Sequence, residues 1–178
     1  MRFVFRLKSE NGYSLIELLT VMAITTVVMT GVTALFVQGS NAQVDMNGRF
    51  QAQQAARLSL DKIRSEAHCA SLVTLTGQTQ ATMTLPSSCG TQISWCTVAV
   101  GSSGSRYALY RQTGATCGTG GVKWADYLTS GAAFSYTAQS TQNLASLGVD
   151  LPINLTPSKA FKTYELKGRI VLRNSTRS

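Results

Sequence analysis

Charge is scarce in this chain and missing from one long stretch of it. Charged residues make up 13% of 178 positions, and none lies between Glu17 and Asp45. A gap of that kind does not suit a solvent-facing helix, and it accommodates the roughly 20 apolar residues needed to cross about 30 Å of hydrocarbon. Proline is rare as well. The first of the three is Pro86, so no proline ends or kinks a helix before it, and Gly31 and Gly39 are the places where local unwinding costs least. His68 is the one histidine. With eight acids and scattered serines it composes no recognisable triad, paired-carboxylate site or phosphate loop, so the chain reads as a non-enzyme without cofactor. Gly118-Thr119-Gly120-Gly121 has no following Lys-Ser/Thr and reads as a turn. None of the four cysteines has a close cysteine neighbour, which argues against a structural zinc, and His68 is expected to end a helix.

What is present begins with a basic leader. Arg2, Arg6 and Lys8 stand against Glu10 before Gly12, the bias that keeps an N-terminus cytoplasmic. From Leu15 to Val37 the chain is rich in Leu, Ile, Val, Met, Ala and Thr. A secretory signal has a shorter apolar core and a small-residue cleavage site after it. Here Gly12 precedes the core and nothing like Ala-x-Ala follows, so the apolar segment is expected to survive maturation. Glu17 then needs a partner, because an ionised carboxylate in hydrocarbon costs about 2.5–3.5 kcal/mol; the bland alternative is that it snorkels to the cytoplasmic surface.

Residues Gly12-Tyr13-Ser14-Leu15-Ile16-Glu17-Leu18-Leu19 resemble the prepilin-type N-terminus of type IV pilins and type II secretion pseudopilins. The resemblance implies that a membrane prepilin peptidase cuts after Gly12 and that Tyr13 becomes the methylated N-terminus. It also implies that Glu17 serves assembly with other pilin or pseudopilin subunits at an inner-membrane platform. Physical chemistry agrees: cleavage puts an amine one helical turn from a carboxylate, and in a helix bundle the acid of one subunit neutralises the amine of its neighbour. A glycine lets peptidase groups approach the scissile backbone. Tyr13 and Ser14 stand where the family more often has Phe and Thr, and the mid-helix proline of many major pilins is missing. The order of elements loosely resembles the larger, tip-proximal minor pseudopilins of the J type.

Beyond the apolar run, Ala52, Ala56, Leu60, Ile63, Ala67 and Ala70 recur three or four residues apart, an amphipathic helix whose stripe is expected to pack on its own domain. The opposite face is read as Arg57, Asp61, Lys62, Arg64 and Glu66, with Arg57 and Asp61 at contact spacing. From Tyr13 to Ala67 such a helix measures roughly 80 Å, more than a small domain needs, which points to subunit packing. Short alternating runs then indicate antiparallel strands at Leu72–Thr76, Ala81–Leu85, Ile93–Val100, Arg106–Gln112, Ala132–Ala138, Leu147–Leu155 and Phe161–Arg173. Pro152 lacks a ladder donor, so its strand is expected at an edge or a bulge.

The expected architecture is α+β: a leader at 1–12, a transmembrane and filament-core helix at 13–40, its amphipathic continuation at 41–70, and an extracytoplasmic antiparallel β domain at 71–178. Outside the cytoplasm, Cys69, Cys89, Cys96 and Cys117 are expected to form two disulfides. Three pairings are possible; two hairpins, each flanked by one pair, favour 69–89 with 96–117. Asn154-Leu155-Thr156 and Asn174-Ser175-Thr176 are glycosylation patterns common by chance. Net charge is +8, with late positives at Lys159, Lys162, Lys167, Arg169 and Arg173. These suggest DNA as a partner through phosphate neutralisation, against the plainer reading of a solvated strand face. Three roles follow for a chain lodged in membrane lipid: a minor pilin or pseudopilin, a DNA-binding tip subunit, or a single-pass protein that never polymerises.

Overall fold

In the computed structural model the described residues are 14–101, 104–156 and 163–173. They form one helix, α1 (Leu15–Cys69), followed by eight strands: β1 (Leu72–Thr76), β2 (Gln80–Thr84), β3 (Ile93–Ala99), β4 (Tyr107–Thr113), β5 (Val122–Leu128), β6 (Phe134–Thr137), β7 (Ser146–Ile153) and β8 (Tyr164–Val171). The chain divides into two compact units at Asp45/Met46, inside α1.

In the first unit the helix is unbroken through Gly31 and Gly39. Every large apolar side chain from Leu15 to Val37 is at least half exposed, and the helix is long and apolar enough to cross a membrane. Threonines in this stretch turn their hydroxyls inward. Thr25, Thr26, Thr30 and Thr33 each donate to the carbonyl four residues back, and Thr20 to that of Glu17. A hydroxyl so engaged carries little of the desolvation cost of an unpaired one.

The second unit is an antiparallel sheet in the order β1-β2-β3-β4-β5-β7-β6, with β8 on β7. Residues 52–67 of α1 contribute Ala52, Ala56, Leu60, Ile63 and Ala67 to the core, which joins Trp95, Leu109, Leu128, Leu147, Leu151 and Ile170 of the sheet. The expected stripe is therefore the buried one, Ala70 included. Fully burying a side chain such as Ile63 contributes about 1.5–3 kcal/mol. Small residues allow close approach. A Cβ on Gly168 of β8 would stand 2.8 Å from Leu60 Cδ1, so glycine there permits Leu60 to rest on the strand.

Both disulfides have the favoured pairing. Cys69–Cys89 spans the β1–β2 hairpin and Cys96–Cys117 the β3–β4 hairpin, with Cα separations of 6.4 and 6.0 Å. The two bridges take up all four cysteines. The Gly118 to Gly121 segment is a turn, closed by Gly121 N–H on Gly118 O at 3.3 Å.

The structure corrects several sequence expectations. β5 was not anticipated. Its pairing with β4 shifts register twice, placing Asp126 and Tyr127 opposite Ala108 and inserting Trp124 between the Ala125 and Lys123 pairs. These bulges destroy the period-two alternation by which strands are recognised. β7 is not an edge strand: it pairs with β8 along its whole length, with β6 from Ser146 to Val149 and with β5 at Ile153. Pro152 is tolerated because it lies past the end of β6. Its carbonyl accepts from Thr129 N–H, so its missing donor points the same way, toward Thr129 and away from β8. Asp61 pairs with Arg64 rather than Arg57, and Arg57 donates to the Tyr164 hydroxyl at 3.2 Å. Glu66, assigned to the solvent face, is buried. The final strand starts at Tyr164; residues 161–162 of its expected range lie outside the described residues.

Candidate functional site

The N-terminal segment is organised around the start of α1. Ser14 O accepts from Glu17 N–H at 2.9 Å and Leu18 N–H at 3.2 Å, closing the first turn. Glu17 is the acid of that turn, where the positive end of the helix dipole favours a carboxylate. It is exposed, and among the described residues no cation pairs with it. The glycine and tyrosine of the suggested processing point, Gly12 and Tyr13, lie outside the described residues.

The basic cluster suggested for DNA is dispersed in its interactions. Lys167 is held by Glu165 at 2.9 Å and Asp150 at 3.5 Å. Arg169 donates to Ser146 Oγ at 3.1 Å, and Arg173 is exposed. Glu165, Lys167 and Arg169 alternate on the exposed face of β8, as a solvated strand face does. Lys159 and Lys162 lie outside the described residues. Asn154 is almost fully buried. Its amide Nδ2 donates to Thr163 and its Oδ1 accepts from Thr156 N–H, so that triplet is a turn device.

Two polar centres escaped sequence reasoning. Glu66 accepts from Trp95 Nε1 at 2.8 Å and Arg111 Nε at 2.9 Å, with Lys62 Nζ at 3.2 Å. The available signal was its spacing, seven residues after buried Ser59 and three after Ile63. Asp126, at the bulge, accepts two hydrogen bonds from Arg106, at 2.9 and 2.7 Å, one from Lys123 at 3.0 Å and one from Tyr127 N–H at 2.7 Å. Burial opposes its ionisation, but the bonds from Arg106, Lys123 and Tyr127 N–H outweigh that and hold its carboxyl down at about 2. Tyr127 occupies the left-handed region, φ 63°, a conformation costly for a side chain of its size. Its ring lies 4.0 Å beneath the Arg106 guanidinium. Bulge, ion pair and ring stack together hold one corner of the sheet.

Residues 7–33 match the family model of the prokaryotic N-terminal methylation motif. The match takes in the end of the leader, Gly12, Glu17 and the first turns of the apolar helix. No curated protein and no solved structure matches the chain. A methylation motif leading into an apolar helix, followed by an antiparallel sheet with two disulfides, fits a membrane-anchored structural protein. More closely, the motif supports a type IV pilin-like or pseudopilin reading of this chain.

Proposed function

We propose that the chain is a minor pilin or pseudopilin. A prepilin peptidase cleaves it after Gly12, Tyr13 becomes the methylated N-terminus, and a platform in the inner membrane draws the subunit from the lipid into a thin filament. The domain beyond residue 70 lies outside the cytoplasm, where its disulfides form. Work is done by assembly and not by chemistry on a substrate. The observation that carries this reading is the position of Glu17. It is the acid of the first turn of α1, inside a methylation motif, with no charge after it until Asp45. A free amine created at Tyr13 in one subunit and the Glu17 carboxylate of another then neutralise each other in an apolar bundle and set the axial register.

The test is the intact mass of the chain coexpressed with a prepilin peptidase. The expected product lacks residues 1–12 and carries one added methyl group, and Gly12→Ala retains the leader. A wild-type mass equal to that of the uncut chain overturns the proposal.

A further inference from the structure

The two disulfides have different surroundings. Cys96 lies within β3, hydrogen-bonded into strands on both sides, and is 4% exposed, while Cys117 is half-buried. Cys89 lies in the β2–β3 connection and is exposed. Cys69, the last residue of α1, is half-buried, and both it and Cys89 line a cavity of about 450 Å³. Lys62, Glu66 and Arg111 line the same cavity.

We propose that Cys69–Cys89 is a thiol–disulfide exchange site, open to a protein dithiol of the thioredoxin class, and that Cys96–Cys117 is closed to it. Exchange requires a thiolate to reach a sulfur and a leaving thiolate that its surroundings accept. The incoming thiolate bonds to Cys89 Sγ, the Cys69–Cys89 bond breaks, and Cys69 departs with the electron pair and takes a proton from water. The second thiol of the partner then attacks the mixed disulfide. Cys89 is released as a thiol, and the partner is left oxidised by two electrons.

Cys69 leaves into a cavity holding Lys62 and Arg111, whose charge is shared with Glu66. Those cations offset the helix C-terminus, which disfavours a thiolate at that position. Attack on Cys117 would instead expel a Cys96 thiolate between β2 and β4, where burial raises the cost of the anion. Opening the first bridge unfastens the connection between β2 and β3 from the end of α1. The helix remains held by Glu66 to Trp95 and Arg111, so the sheet stays folded with one bridge open.

The full chain in detergent micelles, without denaturant, is treated with limiting dithiothreitol and quenched at intervals with N-ethylmaleimide. Alkylated positions are then mapped by peptide mass. Cys69 and Cys89 are expected to be labelled as a pair, at least about tenfold faster than Cys96 and Cys117, while tryptophan fluorescence keeps its native maximum. Labelling of Cys96 and Cys117 first, or of all four at one rate, overturns the proposal.

Discussion

The carboxylate of Glu66 accepts a hydrogen bond from the indole of Trp95 at 2.8 Å, joining the last turns of α1 to the centre of β3. Trp95 is fully buried, so its N–H has no water to turn to if the acid is removed. Glu66→Ala is expected to destabilise the fold by about 2–4 kcal/mol, because it strands a buried donor and leaves Arg111 without its partner. Glu66→Gln keeps an acceptor for the indole and is expected to cost less than half as much. Urea unfolding of both variants, followed by tryptophan fluorescence, gives the comparison; equal losses would mean that the charge and not the indole bond matters.

Asp126 makes the fold sensitive to acid. Its carboxyl titrates at about 2 in the folded chain against an ordinary 3.8. Between those values the unfolded chain binds the proton more readily, so stability present above pH 3.8 is lost as pH falls through 2. A shift of this size corresponds to about 2 kcal/mol. Asp126→Asn is expected to be less stable at neutral pH and to show a shallower decline from pH 4 to 2, read from thermal midpoints across that range. A parallel decline in the two proteins would remove this carboxyl as the cause.

Much of this was legible beforehand, for identifiable reasons. The Ala52 to Ala70 stripe is a helical period with polar residues between its members, and nothing in the fold overrides it. Leu147, Val149, Leu151 and Ile153 alternate because β7 has one buried face. β5 failed the same test because its buried Ala125 and Leu128 are three apart, a spacing that the bulge at Asp126 and Tyr127 creates and that no strand pattern contains. Glu66 was misplaced for another reason. Charge suggests solvent, and only the positions of Trp95 and Arg111, distant in sequence, reveal why an acid belongs inside. Within the methylation motif the residues themselves carried the information, since it resides in their local order.

Leu60 and Gly168 are expected to behave as a coupled pair. Gly168→Ala places a methyl within contact distance of a buried leucine and is expected to cost about 1–3 kcal/mol. Leu60→Ala alone is expected to cost about 2–5 kcal/mol. Together they should cost less than the sum, because the shortened side chain makes room for the added methyl. Additive losses in a double-mutant cycle would show that the strand shifts instead.

Glu17→Gln separates membrane residence from polymerisation. Removing the charge eases insertion, so the variant is expected in the membrane at wild-type level and processed at Gly12. Filament recovery is expected to fall at least about tenfold, the effect of losing about 1.4 kcal/mol. Shearing followed by immunoblotting of the filament fraction measures it. Unchanged recovery favours a single-pass protein that does not polymerise.

The inward-turned threonines have a consequence for any exchange of one apolar neighbourhood for another by this segment. Each hydroxyl of Thr20, Thr25, Thr26, Thr30 and Thr33 is satisfied within its own helix. On the proposed function, sliding from acyl chains into contact with sister helices would break no polar bond and demand no new one. Such a transfer would then turn on shape and on Glu17, the one acid of the apolar stretch.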